Sequence, residues 1–137
     1  MTTVAAREGK IACDSRLTGG FIAKANKIIV GDGVIVGYAG DWIAAECLGR
    51  HIAGLDEEKP KRDSDDDVEF LVLRPKGIFM VDRRLREVKI CDKYWAIGSG
   101  CQAAMVAMHM GATAKEAVEM AKLVDECTGG RVREYSL

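Results

Sequence analysis

Met1-Thr-Thr-Val-Ala-Ala-Arg-Glu-Gly-Lys-Ile-Ala-Cys-Asp14 is the stretch on which the reading of this chain turns. Thr2 to Ala6 and Lys10 to Asp14 read as two strands joined by a tight turn at Glu8-Gly9. An antiparallel partner returns to its start, so the hairpin brings Asp14 back beside Thr2. Removal of Met1, which a small following side chain favours, would leave Thr2 with a hydroxyl and a free α-amine on one residue. That amine has an unperturbed pKa of about 7.7–8.0, so a fraction of it is a base at neutral pH. A base within reach of a hydroxyl is the nucleophile pair of acyl transfer. Thr-Thr-Val is equally an ordinary strand start, because β-branched residues suit strands. The rest of the chain has to decide between the two.

The length of 137 residues fits one domain, taken as 1–137, and 48% apolar residues suffice for a packed core. A formal net charge of -1, with no basic stripe, points away from nucleic acid and from membrane surfaces. Every apolar run is far shorter than the roughly 20 residues that span a bilayer. The start lacks the charged-then-apolar order of a secretion signal. Five widely spaced cysteines, Cys13, Cys47, Cys91, Cys101 and Cys127, form no Cys-x-x-Cys pair. They read as reduced, buried thiols of a cytoplasmic protein. His51 and His109 fall in apolar helical patterns and read as partly buried structural residues.

Outward from the hairpin, Phe21 to Val30 contains a second extended stretch, with Lys24 and Lys27 in it. Gly31-Asp32-Gly33 is a hairpin turn leading to Val34-Ile35-Val36, and Gly37 to Gly40 then lead into a helix capped by Asp41. Ile43, Cys47, Leu48 and Ile52 recur at helical spacing, and the helix is expected to end near Gly54. Leu55 to Asp67 is a charged, solvated loop. Its cluster Asp63-Ser64-Asp65-Asp66-Asp67 fails as a calcium loop, since Val68 and Arg74 stand where Gly and Glu are needed. Val68–Arg74, Ile78–Asp82, Glu87–Cys91 and Tyr94–Ile97 read as strands. Cys101–Met110 is an Ala/Met-rich helix with Met as core filler. Thr113-Ala114-Lys115-Glu116 is a capping box. It opens a helix with Ala117, Met120, Ala121 and Val124 on one face, and Arg131–Tyr135 forms a last strand. The order lacks the alternation of a doubly wound sheet. Two antiparallel sheets packed face to face with helices outside fit it better.

Gly98-Ser99-Gly100-Cys101-Gln102-Ala103 matches a dinucleotide fingerprint, but too little chain follows to complete a mononucleotide unit. The alternative is a turn that aims the Ser99 hydroxyl into a site. A glycine amide at Gly37, after a buried strand, is a candidate oxyanion donor.

Six pieces then stand in register: Thr2-Thr3-Val4, Asp14-Ser15-Arg16, Lys27, Gly37-Tyr38-Ala39-Gly40-Asp41, Gly98-Ser99-Gly100, and Asp125-Glu126-Cys127-Thr128-Gly129-Gly130. Together they resemble proteasome β subunits and the shorter bacterial proteasome-like peptidase HslV, across almost the whole chain. The resemblance implies an α+β fold, the Ntn-hydrolase αββα four-layer sandwich, and a threonine-type endopeptidase assembled into stacked rings. By position it implies Thr2 as nucleophile and base and Lys27 as a cation that lowers the pKa of the Thr2 hydroxyl or amine. Asp14 would orient Lys27. Gly37 N–H would be the oxyanion donor, and the backbone at Ala39 would bind substrate. Ser99, Asp125 and Thr128 would complete the hydrogen bonds around the amine. Thr128 stands where proteasomes usually have serine, and Asp125 matches the proteasome better than HslV.

The resemblance calls for no cofactor, and a structural monovalent or magnesium cation is the one ion it allows. It implies self-association, a polypeptide substrate and an ATP-dependent unfoldase partner. The chain is shorter than these relatives, with the deficit between about Gly54 and Val68, where a helical pair is cut back and replaced by the charged loop. One methionine precedes Thr2, as in HslV-like proteins. Two rivals stand beside this reading. One is a non-catalytic assembly protein that keeps the fold, which retention of Met1 would favour. The other is an Ntn amidase acting on a small amide, which a short chain with an open rim would suit.

Overall fold

The opening hairpin folds as its residues predict. In the computed structural model, which describes residues 2–18, 20–56, 58, 60 and 67–137, β1 (Thr3–Arg7) pairs antiparallel with β2 (Lys10–Cys13). Glu8 and Gly9 between them both adopt positive φ, 52° and 74°, as the twist of a two-residue hairpin loop requires. In chain order there follow β3 (Arg16–Thr18), β4 (Ile22–Lys24), β5 (Ile28–Gly31), β6 (Val34–Gly40) and helix α1 (Trp42–Ile52). Then come β7 (Val68–Arg74), β8 (Gly77–Asp82), β9 (Glu87–Lys89), β10 (Tyr94–Gly98), α2 (Cys101–His109), α3 (Ala114–Val124) and β11 (Arg133–Ser136).

One sheet has the order β10-β1-β2-β11 and the other β5-β6-β7-β8-β9. All their pairings are antiparallel. Strand alternation sorts the side chains into layers. Val4, Ala6, Ile11 and Cys13 of the first sheet meet Ile28, Ile35, Leu71, Leu73 and Ile78 of the second in the central core. Ala5 and Ala12 point the other way, under Ala104, Met108, Ala117 and Val118 of α2 and α3. On the far side, Val36, Tyr38, Phe70 and Val72 pack beneath Ala45 and Leu48 of α1. The result is the expected α+β sandwich, helices outside two face-to-face sheets.

Several expectations change. The extended stretch within Phe21–Val30 is two strands, β4, which pairs with β3 in a separate small hairpin, and β5, and residues 25–27, Lys27 among them, lie between them and outside both. Gly37–Gly40 is the end of β6 and runs through Asp41 into the helix. α1 is capped by Asp41, whose Oδ1 accepts the Ala44 N–H at 3.0 Å, but it buries Ala45, Leu48 and Gly49 while Ile43 is 73% exposed. Residues four apart can lie on the apolar stripe or just beside it, and spacing alone does not say which row meets the sheet. The same holds for α3: its capping box forms, yet Ala114, Ala117, Val118 and Ala121 are buried and Met120 and Val124 are exposed. Cys13 is buried, but Cys47 and Cys91 are exposed. His109 is exposed, paired with the Tyr94 hydroxyl at 2.7 Å. The charged loop falls largely outside the described residues. Among those described, no helix is long and apolar enough to cross a membrane.

Candidate active site

The site grows from the start of β1. Thr3 stands opposite Gly98 of β10, and Thr2, just before the strand, is buried. The end of β2 delivers Asp14, as the hairpin requires. Its Oδ1 accepts the Thr3 N–H at 3.1 Å and the Lys27 ammonium at 3.2 Å. Its Oδ2 accepts the Gly129 N–H at 3.0 Å and, at 3.4 Å, the Arg16 N–H. Lys27 also donates to the Arg16 carbonyl. Both charged groups of this ion pair are buried. Such a pair holds only when further hydrogen bonds replace the lost water, and Asp14 has three from backbone amides. One carboxylate thereby ties β1, the turn after β2, the segment before β5 and the loop after α3.

A second cluster closes from the other side. Ser99, in the turn between β10 and α2, donates its hydroxyl to Asp125 Oδ2 at 2.5 Å. Thr128 donates to the same oxygen, and the Cys127 N–H reaches Oδ1 at 3.3 Å. Thr3 Oγ1 and Thr128 Oγ1 are 2.7 Å apart. The Thr128 proton is given to the carboxylate, so Thr3 is the donor of that pair. Burial pushes the Asp125 pKa up, but the Ser99, Thr128 and Cys127 hydrogen bonds outweigh it and hold the carboxyl below its ordinary value. Asp125 is thus an anion at neutral pH.

Ser99, Asp125 and Thr128 are therefore brought together, as are Asp14 and Lys27, with the Thr2–Thr3 peptide touching the second group and Thr3 the first. Gly37 and Ala39 require a correction. β6 is flanked by β5 and β7. The Tyr38 N–H donates to the Lys27 carbonyl at 3.1 Å on the β5 side. Amides alternate along a strand, so those of Gly37 and Ala39 face β7, opposite Leu71 and Glu69, and the ladder takes them. Gly37 serves packing instead: a Cβ there would lie 2.5 Å from Val4 Cγ1, so only glycine lets the sheets approach this closely. By the same alternation the Gly40 N–H faces the β5 side, beyond the start of that strand at Ile28. Gly40 is at the site end of β6: Glu69, which pairs with Ala39, accepts the Gly98 N–H at 3.0 Å.

Thr3 and Gly129 are the site residues that reading the sequence missed. Both lie within the quoted motifs, but their roles depend on which way an amide or hydroxyl points. Two thiols near the site are unsuited as nucleophiles. Burial, then the Asp14 charge, pushes the Cys13 pKa up, and its Sγ donates to the Asp14 carbonyl at 2.8 Å. Burial, then Glu69, pushes Cys101 up. A neutral thiol is a poor attacking group. Among the described residues no group of His, Cys, Asp and Glu is placed to hold a metal ion. The Gly98–Ala103 motif is a plain strand-to-helix turn in an antiparallel sheet, not a dinucleotide site.

No family model and no curated protein matches the chain. Solved structures do. BPH of Thiobacillus denitrificans, in complex with epoxomicin, superposes with a TM-score of 0.75 at 21% identity over 99% of this chain and 97% of its own. Eukaryotic HslV from Trypanosoma brucei gives 0.72 at 20% identity, covering 98% and 97%. The Gly-1 mutant of Anbu from Hyphomicrobium sp. strain MC1 gives 0.72 at 11% identity, covering 99% and 82%. The chain shares the fold of these proteins, the α+β sandwich of two antiparallel sheets with helices outside that its pattern of strands and helices led us to expect.

Proposed function

We propose that this chain is a threonine-type peptidase whose nucleophile is Thr2 after removal of Met1. The observation that carries the reading is the convergence on the start of β1 of a buried Asp14–Lys27 ion pair and an anionic Ser99–Asp125–Thr128 cluster. A strand start needs neither. A cation, an anion and a chain of hydroxyls around one terminal residue suit proton transfer there.

In this mechanism the Thr2 amine takes the proton of its own hydroxyl as Oγ1 attacks a peptide carbonyl. Lys27 favours the deprotonated oxygen by its charge, and Asp14 keeps the ammonium in place. The Gly40 N–H stabilises the developing oxyanion. The ammonium of Thr2 then protonates the leaving amine as the C–N bond breaks, which leaves an ester on Thr2. Water, deprotonated by the same amine, attacks the ester and restores the hydroxyl. Asp125, with Ser99 and Thr128, orients the amine through these steps.

The substrate in this reading is unfolded polypeptide, handled by a ring of identical chains with an ATP-dependent unfoldase. Self-association draws support from α2 and α3, where Val106, Met110, Met120, Leu123 and Val124 are all exposed. The test is intact mass after incubation with a peptide epoxyketone, a warhead that needs a free amine and a hydroxyl on one residue. We expect one adduct on the Met-less chain and none on Thr2→Ala. Retained Met1 without an adduct would overturn the proposal.

A further inference from the structure

Tyr38 lies on the far side of β6 from the site, in the layer under α1, and is fully buried. A buried phenol needs a partner, and this one has an unusual set. Its hydroxyl donates to Glu46 Oε2 of α1 at 2.8 Å and lies 3.3 Å from the Asn26 carbonyl. Its backbone N–H donates to the Lys27 carbonyl at 3.1 Å. One residue therefore grips two successive carbonyls of the segment 25–27, which belongs to no strand. Asn26 closes the grip from inside: its Oδ1 accepts the Ile28 N–H at 3.2 Å, and its Nδ2 reaches the Tyr135 hydroxyl at 3.3 Å.

We propose that Tyr38 and Glu46 are positioning residues for Lys27, holding its backbone from behind so that its ammonium stays on Asp14. This rests on the reading of Lys27 as the site's cation. The phenol has one proton, which Glu46 Oε2 at 2.8 Å and the Asn26 carbonyl at 3.3 Å share. That ties the ring to α1 and the Asn26 carbonyl to the ring. Burial, then the Glu46 hydrogen bond, pushes the Tyr38 pKa up, so the hydroxyl stays a donor. Without Glu46 the proton turns to the Asn26 carbonyl, which draws the segment toward the helix. Without the hydroxyl the segment loses its Asn26 carbonyl contact with the ring, while the Tyr38 N–H, the Ala25 N–H on the Ser15 carbonyl and the Asn26 side-chain bonds remain. Either change shifts Lys27 against Asp14, and small misplacements of a catalytic group cost rate more than affinity.

The test compares Tyr38→Phe, Glu46→Ala and Glu46→Gln with the parent chain, using a fluorogenic peptide for kcat and KM and the epoxyketone for the rate of Thr2 acylation. Val72→Ala, beneath α1 but outside this set of contacts, controls for lost stability. We expect Tyr38→Phe and Glu46→Ala to lower kcat and the acylation rate by about tenfold with KM unchanged. Glu46→Gln, which still accepts from the phenol, keeps the parent rates. Val72→Ala lowers the melting temperature without lowering kcat. A parent chain that reacts while Tyr38→Phe reacts equally fast overturns this proposal alone. A parent chain that forms no adduct overturns the Thr2 reading and this proposal with it.

Discussion

Asp14 is the residue with most at stake. Its carboxylate is fully buried and fully bonded. Asp14→Ala would strand the Lys27 ammonium in the core, and breaking a buried pair from one side costs about 3–5 kcal/mol. We expect that loss in urea unfolding, together with loss of activity. Asp125 gives a pH signature instead. Its hydrogen bonds hold the folded carboxyl below the ordinary value against the effect of burial. They therefore stabilise the fold above about pH 3.9, the unperturbed value, and that contribution fades as pH falls through the lower folded value. Ser99→Ala removes one of these bonds and raises the folded pKa. The acid-unfolding midpoint should move to higher pH, read by circular dichroism from pH 6 downward.

At the scale of elements, the spacing of the two sheets decides how the site is assembled. Gly37 of β6 touches Val4 of β1, two residues beyond Thr2, with no room for a Cβ. Gly37→Ala should destabilise the fold by about 1–3 kcal/mol, the usual cost of overpacking. Val4→Ala in the same chain should recover part of that loss, because the two residues share one contact. A denaturant series on the two single variants and the double variant reads the coupling. Additive losses would show that the sheets do not meet there. The strands themselves were legible, since β1, β2, β7 and β8 follow from alternation and turn residues alone. The buried rows of α1 and α3 were not. Ile43, Met120 and Val124 are apolar and periodic, yet they face outward. Periodicity places a stripe on a helix but does not say what lies against it.

Those outward residues matter most for the whole molecule. Met110 is 82% exposed and Val106 64%, on a surface where single apolar residues are normal but a row along two helices is not. If α2 and α3 meet a second copy, Met110→Asp should leave the circular dichroism spectrum unchanged and reduce the sedimenting mass. An unchanged mass would show that these helices meet no second copy. The candidate site also belongs to this scale. Its residues come from β1, the end of β2, the segment before β5, the turn after β10 and the loop after α3. Five stretches from one end of the chain to the other meet at the start of one strand.

The sequence by itself determined the sandwich, the opening hairpin, the two well-capped helices and the polar residues that gather at the start of β1. These follow from local patterns: alternation, turn residues, caps and short motifs. Only the tertiary structure decided the directions. It gave the Gly37 amide to the sheet ladder and left Gly40 at the strand end, turned the Thr3 hydroxyl onto Thr128, and set Tyr38 behind Lys27. The physical reason is that an amide or hydroxyl bonds to whatever packing brings within about 3 Å, and its partners here lie up to 125 residues away along the chain.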